Sequence, residues 1–263
     1  MNAPVIHVGD CLTSLKAMSG ASVQTCVTSP PYFGLRDYGM DGQIGLEATP
    51  DAFVARLVEV FREVRRVLRD DGTLWLNLGD TYAGGGTIGR NDGGRNLTGG
   101  GGNRLGSGNP GAQGQRQRVA ALKQKDMVGI PWRVAFALQA DGWYLRQDII
   151  WHKPNPMPES VTDRCTKAHE YVFLLSKSAR YYFDAESIME VAKTVGGKGP
   201  SSGNYSEGTG TRNDQGRHLS GGFATGQTRN RRSVWTVTPK PFAGAHFATF
   251  PPDLITPCIL AGA

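Results

Sequence analysis

The sequence has few cysteines, and their spacing excludes small domains that are held together by disulfide bonds or zinc ions. Four cysteines occur among 263 residues, and no two of them form a Cys-x-x-Cys pair. Zinc sites and disulfide frameworks need clustered or regularly spaced cysteines, so we predict no metal site and a reducing compartment. The sequence also lacks an apolar run of membrane-spanning length and the basic and apolar regions of a signal peptide. We therefore expect a cytoplasmic protein with no membrane partner.

A phosphate-binding loop of the form Gly-x-x-x-x-Gly-Lys-Ser/Thr is also absent, although glycine is abundant at 36 residues. Residues 84–118 contain 14 of these glycines and almost no apolar side chain. This composition predicts a flexible loop without helix or strand. Residues 193–232 form a second stretch of the same kind. The rest of the chain is long enough for one large domain, so we expect residues 1–263 to form a single domain with two flexible loops.

The positive charge of the chain is concentrated in these two stretches. The formal net charge is +6. Residues 84–118 carry five arginines and one acidic residue, and residues 193–232 carry seven lysines and arginines against two acidic residues. Basic flexible loops suit contact with the phosphates of a nucleic acid. Solvated linkers with incidental arginines are the alternative.

Apolar periodicity predicts alternating helices and strands in the remaining residues. The predicted strands are 5–8, 23–27, 73–78, 143–151 and 171–175, and the predicted helices are 11–18, 50–69, 131–140 and a last one beginning near Pro251. Asp70, Asp71 and Gly72 are expected to close the second helix. A helix, a tight turn and a strand in succession predict a parallel sheet, so the fold class is α/β.

The segment Ser29-Pro30-Pro31-Tyr32 follows the second predicted strand. Two prolines cannot continue a strand ladder, so the chain leaves the sheet there as a stiff loop. Such a loop offers the Ser29 hydroxyl, carbonyls outside the ladder and the aromatic ring of Tyr32. Ligands of open α/β sheets bind at strand ends of this kind. A plain strand-ending turn is the alternative reading.

This motif resembles the catalytic motif of DNA methyltransferases that modify exocyclic amines, at N4 of cytosine or N6 of adenine. A second block is also similar to that family, in the same order: Trp-x-Lys-Pro-Asn-x-x-Pro from Trp151, followed by Arg-x-x-x-x-His-Glu ending at Glu170. The resemblance implies a Rossmann-like α/β methyltransferase core. It also implies transfer of a methyl group from S-adenosyl-L-methionine to a base flipped out of double-stranded DNA, in a bacterial or phage-encoded enzyme. Ser29 and the carbonyl of Pro30 would accept hydrogen bonds from the amine, and Tyr32 would stack on the base.

The resemblance also implies further site residues. Those expected near the cofactor are Asp10, Cys11, His246, Phe250 and Pro251. Those expected to contact DNA are Arg36, Lys153, Arg229, Arg231 and Arg232, with residues 193–232 as the candidate target-recognition region. Serine before Pro-Pro-Tyr favours N4 of cytosine over N6 of adenine. His169 and Glu170 are interpreted as a hydrogen-bonded structural pair rather than a metal site.

The sequence departs from the family at its end. In members with this motif order, a strand with the motif Asp-Pro-Phe-x-Gly-x-Gly follows the segment around Pro251, whereas this sequence ends at Ala263. We therefore expect a chain that is incomplete at its C-terminus and lacks the cofactor-loop strand. Two readings stay open: an active DNA methyltransferase, or a non-catalytic or split DNA-binding half that needs a partner segment for its cofactor site. An RNA or protein glutamine methyltransferase is a weaker third reading.

Overall fold

The computed structural model describes residues 4–83, 122–192, 228–240 and 249–263. In chain order, its helices are α1 (Cys11–Ala17), α2 (Pro50–Val67), α3 (Ile130–Ala140) and α4 (Pro252–Gly262), with a short 3-10 helix at Glu186–Ile188. Its strands are β1 (Val23–Thr28), β2 (Leu68–Leu78), β3 (Tyr144–His152), β4 (His169–Ser176), β5 (Glu190–Val191), β6 (Thr228–Arg229) and β7 (Val234–Thr236). None of these helices is both long and apolar enough to cross a membrane.

Five of the strands form a mixed sheet in the order β1-β2-β4-β3-β7. β1 is parallel to β2, and β3 is parallel to β7, whereas β4 runs antiparallel to both of its neighbours. The parallel direction predicted for β1 and β2 is therefore confirmed, but the expectation of a parallel sheet is wrong for β4. The connection of 16 residues between β3 and β4 returns the chain to the same end of the sheet, so β4 enters in the opposite direction.

Helices cover both faces of this sheet. One core contains side chains of α2 and α3, such as Phe53 and Leu138, packed against Leu76 and Phe173. The second core contains Leu254 and Cys258 of α4, packed against the other face around Trp75 and Trp235. The prediction that Cys258 belongs to the core is confirmed, because its exposed fraction is 1%.

Helix α2 begins and ends at residues with clear local causes. The Thr49 side chain accepts a hydrogen bond from the backbone N–H of Ala52, and Pro50 takes the first helical position. The helix ends at Val67 because Leu68 is already extended and pairs with Val23 of β1. The prediction that residues 70–72 close the helix is wrong, since they lie inside β2. Gly72 fits there because a Cβ atom would stand 2.9 Å from the carbonyl oxygen of Gln24.

Two other predictions fail for reasons of packing. Residues 5–8 form no strand, and Val5, Ile6 and Val8 are 77%, 85% and 95% exposed, because no described strand pairs with them. Phe136 was expected on the buried side of α3 but is 55% exposed. It packs against the ring of Trp132 near the surface instead, with ring centroids 5.5 Å apart.

The residues on either side of the two basic stretches are paired with each other. Tyr82 and Met127 form a single antiparallel bridge, and Ala83 exchanges backbone hydrogen bonds with Lys125 and Asp126. β5 and β6 likewise pair antiparallel across residues 192–227. Most of the two predicted flexible loops, residues 84–118 and 193–227, lies outside the described residues. The part of the second loop that is described, residues 228–232, contains β6.

Candidate active site

The Ser29–Tyr32 loop leaves the carboxyl end of β1 and lines a cavity of about 400 Å³. Phe33, the next residue, is buried against Phe53 of α2, with ring centroids 5.6 Å apart, and fixes the far end of the loop in the core. The remaining walls come from six parts of the chain: Leu35, Arg36 and Tyr38; Asn77; Trp151 and Lys153; Glu170; Pro239; and Thr249 and Phe250. The cavity thus lies at the strand ends where the sequence placed a site.

The hydroxyl of Tyr32 is tied to the neighbouring strands. It donates a hydrogen bond to Oε2 of Glu170 at 2.7 Å and lies 3.2 Å from Oδ1 of Asn77. Asn77 in turn donates from Nδ2 to the same Glu170 oxygen at 3.2 Å and to the carbonyl of Tyr171 at 3.1 Å. The tyrosine ring is therefore held in one position relative to β2 and β4.

A close approach of the backbone also holds the Tyr32 ring in place. A Cβ atom on Gly79 would stand 2.5 Å from Cε2 of that ring, a distance that real side chains do not adopt. Only glycine at this position lets the end of β2 lie flat against the tyrosine. The prediction that Gly79 lies on the same rim as Ser29 is confirmed.

Glu170 is the centre of this polar cluster. Its second carboxylate oxygen accepts a hydrogen bond from the ammonium group of Lys153, whose nitrogen lies 4.2 Å from the centroid of the Trp151 ring. The interpretation of His169 and Glu170 as a bonded pair is wrong. They are neighbours on β4 and point to opposite faces, so His169 packs edge-on against Tyr171 instead.

Burial decides the ionisation of Tyr32. It raises the pKa of Tyr32 well above its ordinary value, and the nearby Glu170 carboxylate acts in the same direction. The Ser29 side chain favours the ionised form and is outweighed. Tyr32 is therefore a neutral hydrogen-bond donor across the physiological range.

Sequence reasoning missed Asn77 as part of this cluster. The signal that could have found it is a polar side chain near the carboxyl end of an otherwise apolar strand. Because Asn77 is only 5% exposed, its amide needs partners inside the protein. The cluster with Tyr32 and Glu170 supplies them.

The residues predicted to bind the cofactor are divided between several places. Phe250 lies on the cavity wall, and Pro251 is buried beside it at the start of α4. Asp10 and Cys11 are not on the cavity wall. Asp10 caps α1, where its carboxylate accepts a hydrogen bond from the N–H of Thr13 at 2.8 Å. His246 lies outside the described residues.

The residues predicted to contact DNA form two groups. Arg36 and Lys153 line the cavity. Arg229 and Arg232 both donate from Nε to Oε1 of Glu190, at 2.8 Å and 2.6 Å.

The fifth predicted contact, Arg231, packs its guanidinium over the ring of Trp235 at 4.7 Å. No group of three or more metal-ligating side chains occurs in the described part of the chain.

Comparison with known proteins gives the class of this arrangement. The model of the N6/N4 DNA methylase family matches residues 23–263. The chain is 48% identical over 273 residues to the type II methyltransferase M.Cfr9I of Citrobacter freundii, with 99% of this chain and 73% of the relative covered. It is 44% identical over 257 residues to M.SmaI of Serratia marcescens, with 98% and 74% covered.

A solved structure shows the same fold. The PvuII DNA methyltransferase, described as cytosine-N4-specific, matches with a TM-score of 0.58 at 14% identity, covering 98% of this chain and 69% of that one.

The chain therefore belongs to the N6/N4 DNA methyltransferase family. The relatives that it matches are named type II methyltransferases. The cofactor of the family is S-adenosyl-L-methionine and its substrate is DNA, as the resemblance in the sequence implied.

Proposed function

We propose that this protein methylates N4 of a cytosine that has been flipped out of double-stranded DNA into the cavity at Ser29–Tyr32. The observation that carries the proposal is the loop itself. Ser29 and Pro30 line the cavity, and Tyr32 is held in place by Asn77 and Glu170. A base stacked in a duplex cannot enter a recess at the end of a sheet, so the target nucleotide has to leave the helix.

The chemistry of the loop suits an exocyclic amine. The lone pair of such an amine is delocalised into the ring, which makes the nitrogen a poor nucleophile. The Ser29 hydroxyl and the Pro30 carbonyl are acceptors for its two hydrogens, and no backbone N–H in the described residues donates to that carbonyl. Hydrogen bonds to both hydrogens favour a pyramidal nitrogen with an available lone pair.

S-adenosylmethionine, when bound, supplies a methyl group on a sulfonium sulfur, an electrophile that requires no covalent enzyme intermediate. Phe250 lies on the cavity wall and is suited to contact the cofactor, because its aromatic face can pack against the ring and apolar portions of S-adenosylmethionine. The residues of this chain then contribute alignment of the amine. Asp10, Cys11, His246 and Pro251 remain predicted cofactor residues.

Ser29 favours cytosine over adenine, since the resemblance associates Asp rather than Ser with the adenine enzymes. The solved structure that shares the fold is described as cytosine-N4-specific, although at 14% identity it supports the fold alone. We also propose residues 193–232 as the region that recognises the target sequence, and the cytoplasm as the location of the protein.

The test is methyl transfer from labelled S-adenosylmethionine to mixed-sequence duplex DNA, followed by mass spectrometry of the nucleosides. We expect N4-methylcytosine from the unaltered protein and at least a hundredfold less label with Ser29→Ala, about the effect of removing one preorganised hydrogen-bonding group. Ser19→Ala, in the exposed turn before β1, is the matched control and should match the unaltered protein. N6-methyladenine as the product would overturn the choice of base.

A further inference from the structure

Two cationic side chains line the cavity, and they differ in their ion pairing. Arg36 lies on the loop after Phe33, which turns at Gly34 and Gly39 with φ of 63° and 69°. Its guanidinium makes no ion pair with any described residue. Lys153 is instead paired with Glu170, and its side chain is 21% exposed. Within the described residues, one cation of the cavity is therefore unpaired, and the other is anchored to Glu170.

The position of Lys153 is fixed at both ends of the residue. Its backbone N–H donates to the carbonyl of Ala168 at 2.8 Å, which extends the pairing of β3 and β4 by one residue. Its ammonium group binds one oxygen of Glu170, while the other oxygen accepts the hydroxyl of Tyr32. The ammonium group is thus held in a set relation to the Ser29–Tyr32 loop. Glu170 is its one hydrogen-bond acceptor in the described residues, and an ammonium group has three hydrogens to donate.

The cavity therefore offers acceptors from Ser29 and Pro30 and a donor from Lys153. A flipped cytosine presents the complementary pattern along one edge: the N4 amine donates, and the adjacent N3 and O2 accept. Adenine presents its amine beside a single acceptor, N1, followed by a carbon-bound hydrogen. A fixed cation in the same cavity as the amine site has two acceptors to bind in cytosine and one in adenine.

We propose that Lys153 binds the N3 and O2 edge of the target cytosine, and that Glu170 is the positioning residue that holds Lys153 for this contact. The proposal rests on the function proposed above and names how that site selects its base. Arg36, which has no ion-pair partner among the described residues and lies on an exposed loop, is assigned to a phosphate of the same DNA. In this assignment Lys153 contacts the base and Arg36 contacts the DNA backbone, and binding experiments can distinguish the two roles.

The first experiment measures binding to three duplexes that differ at the target position, once that position has been mapped from the methylated product. The position carries cytosine, pyrimidin-2-one or an abasic sugar. Pyrimidin-2-one keeps N3 and O2 but lacks the amine. With Lys153→Gln we expect the preference for pyrimidin-2-one over the abasic duplex to fall about tenfold. With Ser29→Ala that preference should be unchanged, because Ser29 faces the amine.

The second experiment measures binding to the cytosine duplex over a range of salt concentrations. A lost phosphate contact lowers the slope of log K against log salt by about 0.9. We expect this change with Arg36→Gln and no change in slope with Lys153→Gln. Lys16→Gln, a charge-matched substitution on the exposed end of α1, is the control for both experiments.

Three outcomes would overturn the proposal. Lys153→Gln could lower the salt slope and keep the preference for pyrimidin-2-one, which would make Lys153 a phosphate contact. Lys153→Arg, which keeps a charged donor, could lose the preference as fully as the neutral Lys153→Gln. The preference could also be unaffected in a folded Lys153→Gln protein. Failure of the proposed function is distinct, because then the unaltered protein produces no N4-methylcytosine.

Discussion

Glu170 and Glu190 each form ion pairs with cationic side chains, but their surroundings differ. Glu170 lies among three strands with 17% of its side chain exposed and also binds the neutral Tyr32 and Asn77. Glu190, at 27%, binds Arg229 and Arg232, whose side chains are 30% and 67% exposed. The Glu190 cluster is therefore more open to screening by water than the Glu170 cluster. A glutamate carboxylate therefore fixes the side chains of the site at Glu170, whereas at Glu190 it links two strands at the surface.

Removing the carboxylate of Glu170 should have the largest effect. Glu170→Ala leaves the Lys153 ammonium without its acceptor in the described residues and the Tyr32 hydroxyl with Asn77 alone. We expect the free energy of unfolding to fall by about 3 kcal/mol, the low end of the cost when a buried charge loses its partner, because Glu170 is 17% exposed. Urea unfolding followed by circular dichroism measures this loss. A loss below 1 kcal/mol would place Glu170 in the same class as Glu190.

The contact between Gly79 and Tyr32 should give the next largest effect. In Gly79→Ala the new methyl group forces the tyrosine ring to move, which we expect to cost about 2 kcal/mol of stability and to reduce methyl transfer. Gly20→Ala is the matched control, because a Cβ there would lie 3.5 Å from the nearest atom, the carbonyl oxygen of Arg66. The comparison fails if the two variants unfold at the same urea concentration.

The Tyr32 hydroxyl should have a smaller effect that depends on pH. Tyr32→Phe keeps the ring and removes a hydrogen bond, at about 1 kcal/mol. Since burial raises the pKa of Tyr32 in the folded state, its contribution is complete below the unfolded pKa of about 10 and is lost at higher pH. Thermal unfolding between pH 8 and 11 should therefore decline less steeply in the variant. Equal slopes would mean that Tyr32 ionises normally.

The exposed carboxylate should have the smallest effect. Glu190→Ala removes two ion pairs, but both arginines can turn to water, so we expect a loss of less than about 1 kcal/mol. Added salt should abolish even this difference, whereas the effect of Glu170→Ala should persist. Unfolding of both variants at low and high sodium chloride tests the contrast. A loss at Glu190 that does not respond to salt would contradict it.

Local patterns predicted the frame of the site but not its polar cluster. β1, α2 and the Ser29–Tyr32 loop were found because apolar spacing and proline chemistry act over a few residues. Glu170 could not be assigned to Tyr32, because the two are 138 residues apart in the sequence and meet through the antiparallel entry of β4. The direction of that strand depends on the path of a long connection, which the residues within the strand do not specify.

The failures at residues 70–72 and at Phe136 have the same origin. Two aspartates before a glycine are typical of a helix end, yet here they extend β2, because the neighbouring β1 provides backbone partners. Phe136 is apolar and correctly spaced, but only one side of α3 faces the core. Propensity describes what a segment can do alone, and packing decides among those options.

The short pairings at Tyr82–Met127 and at β5–β6 also bear on how such a chain can change over time. Each brings together the two ends of a long basic stretch, so the sheet and the cavity receive the same geometry whatever lies between. Doubling the length of a flexible loop costs only about 0.6 kcal/mol in closure entropy. We therefore expect insertions and exchanges between residues 84 and 121, or 193 and 227, to leave the geometry of the Ser29–Tyr32 cavity intact. The two stretches can then diversify in length and sequence while the walls of the cavity stay unchanged.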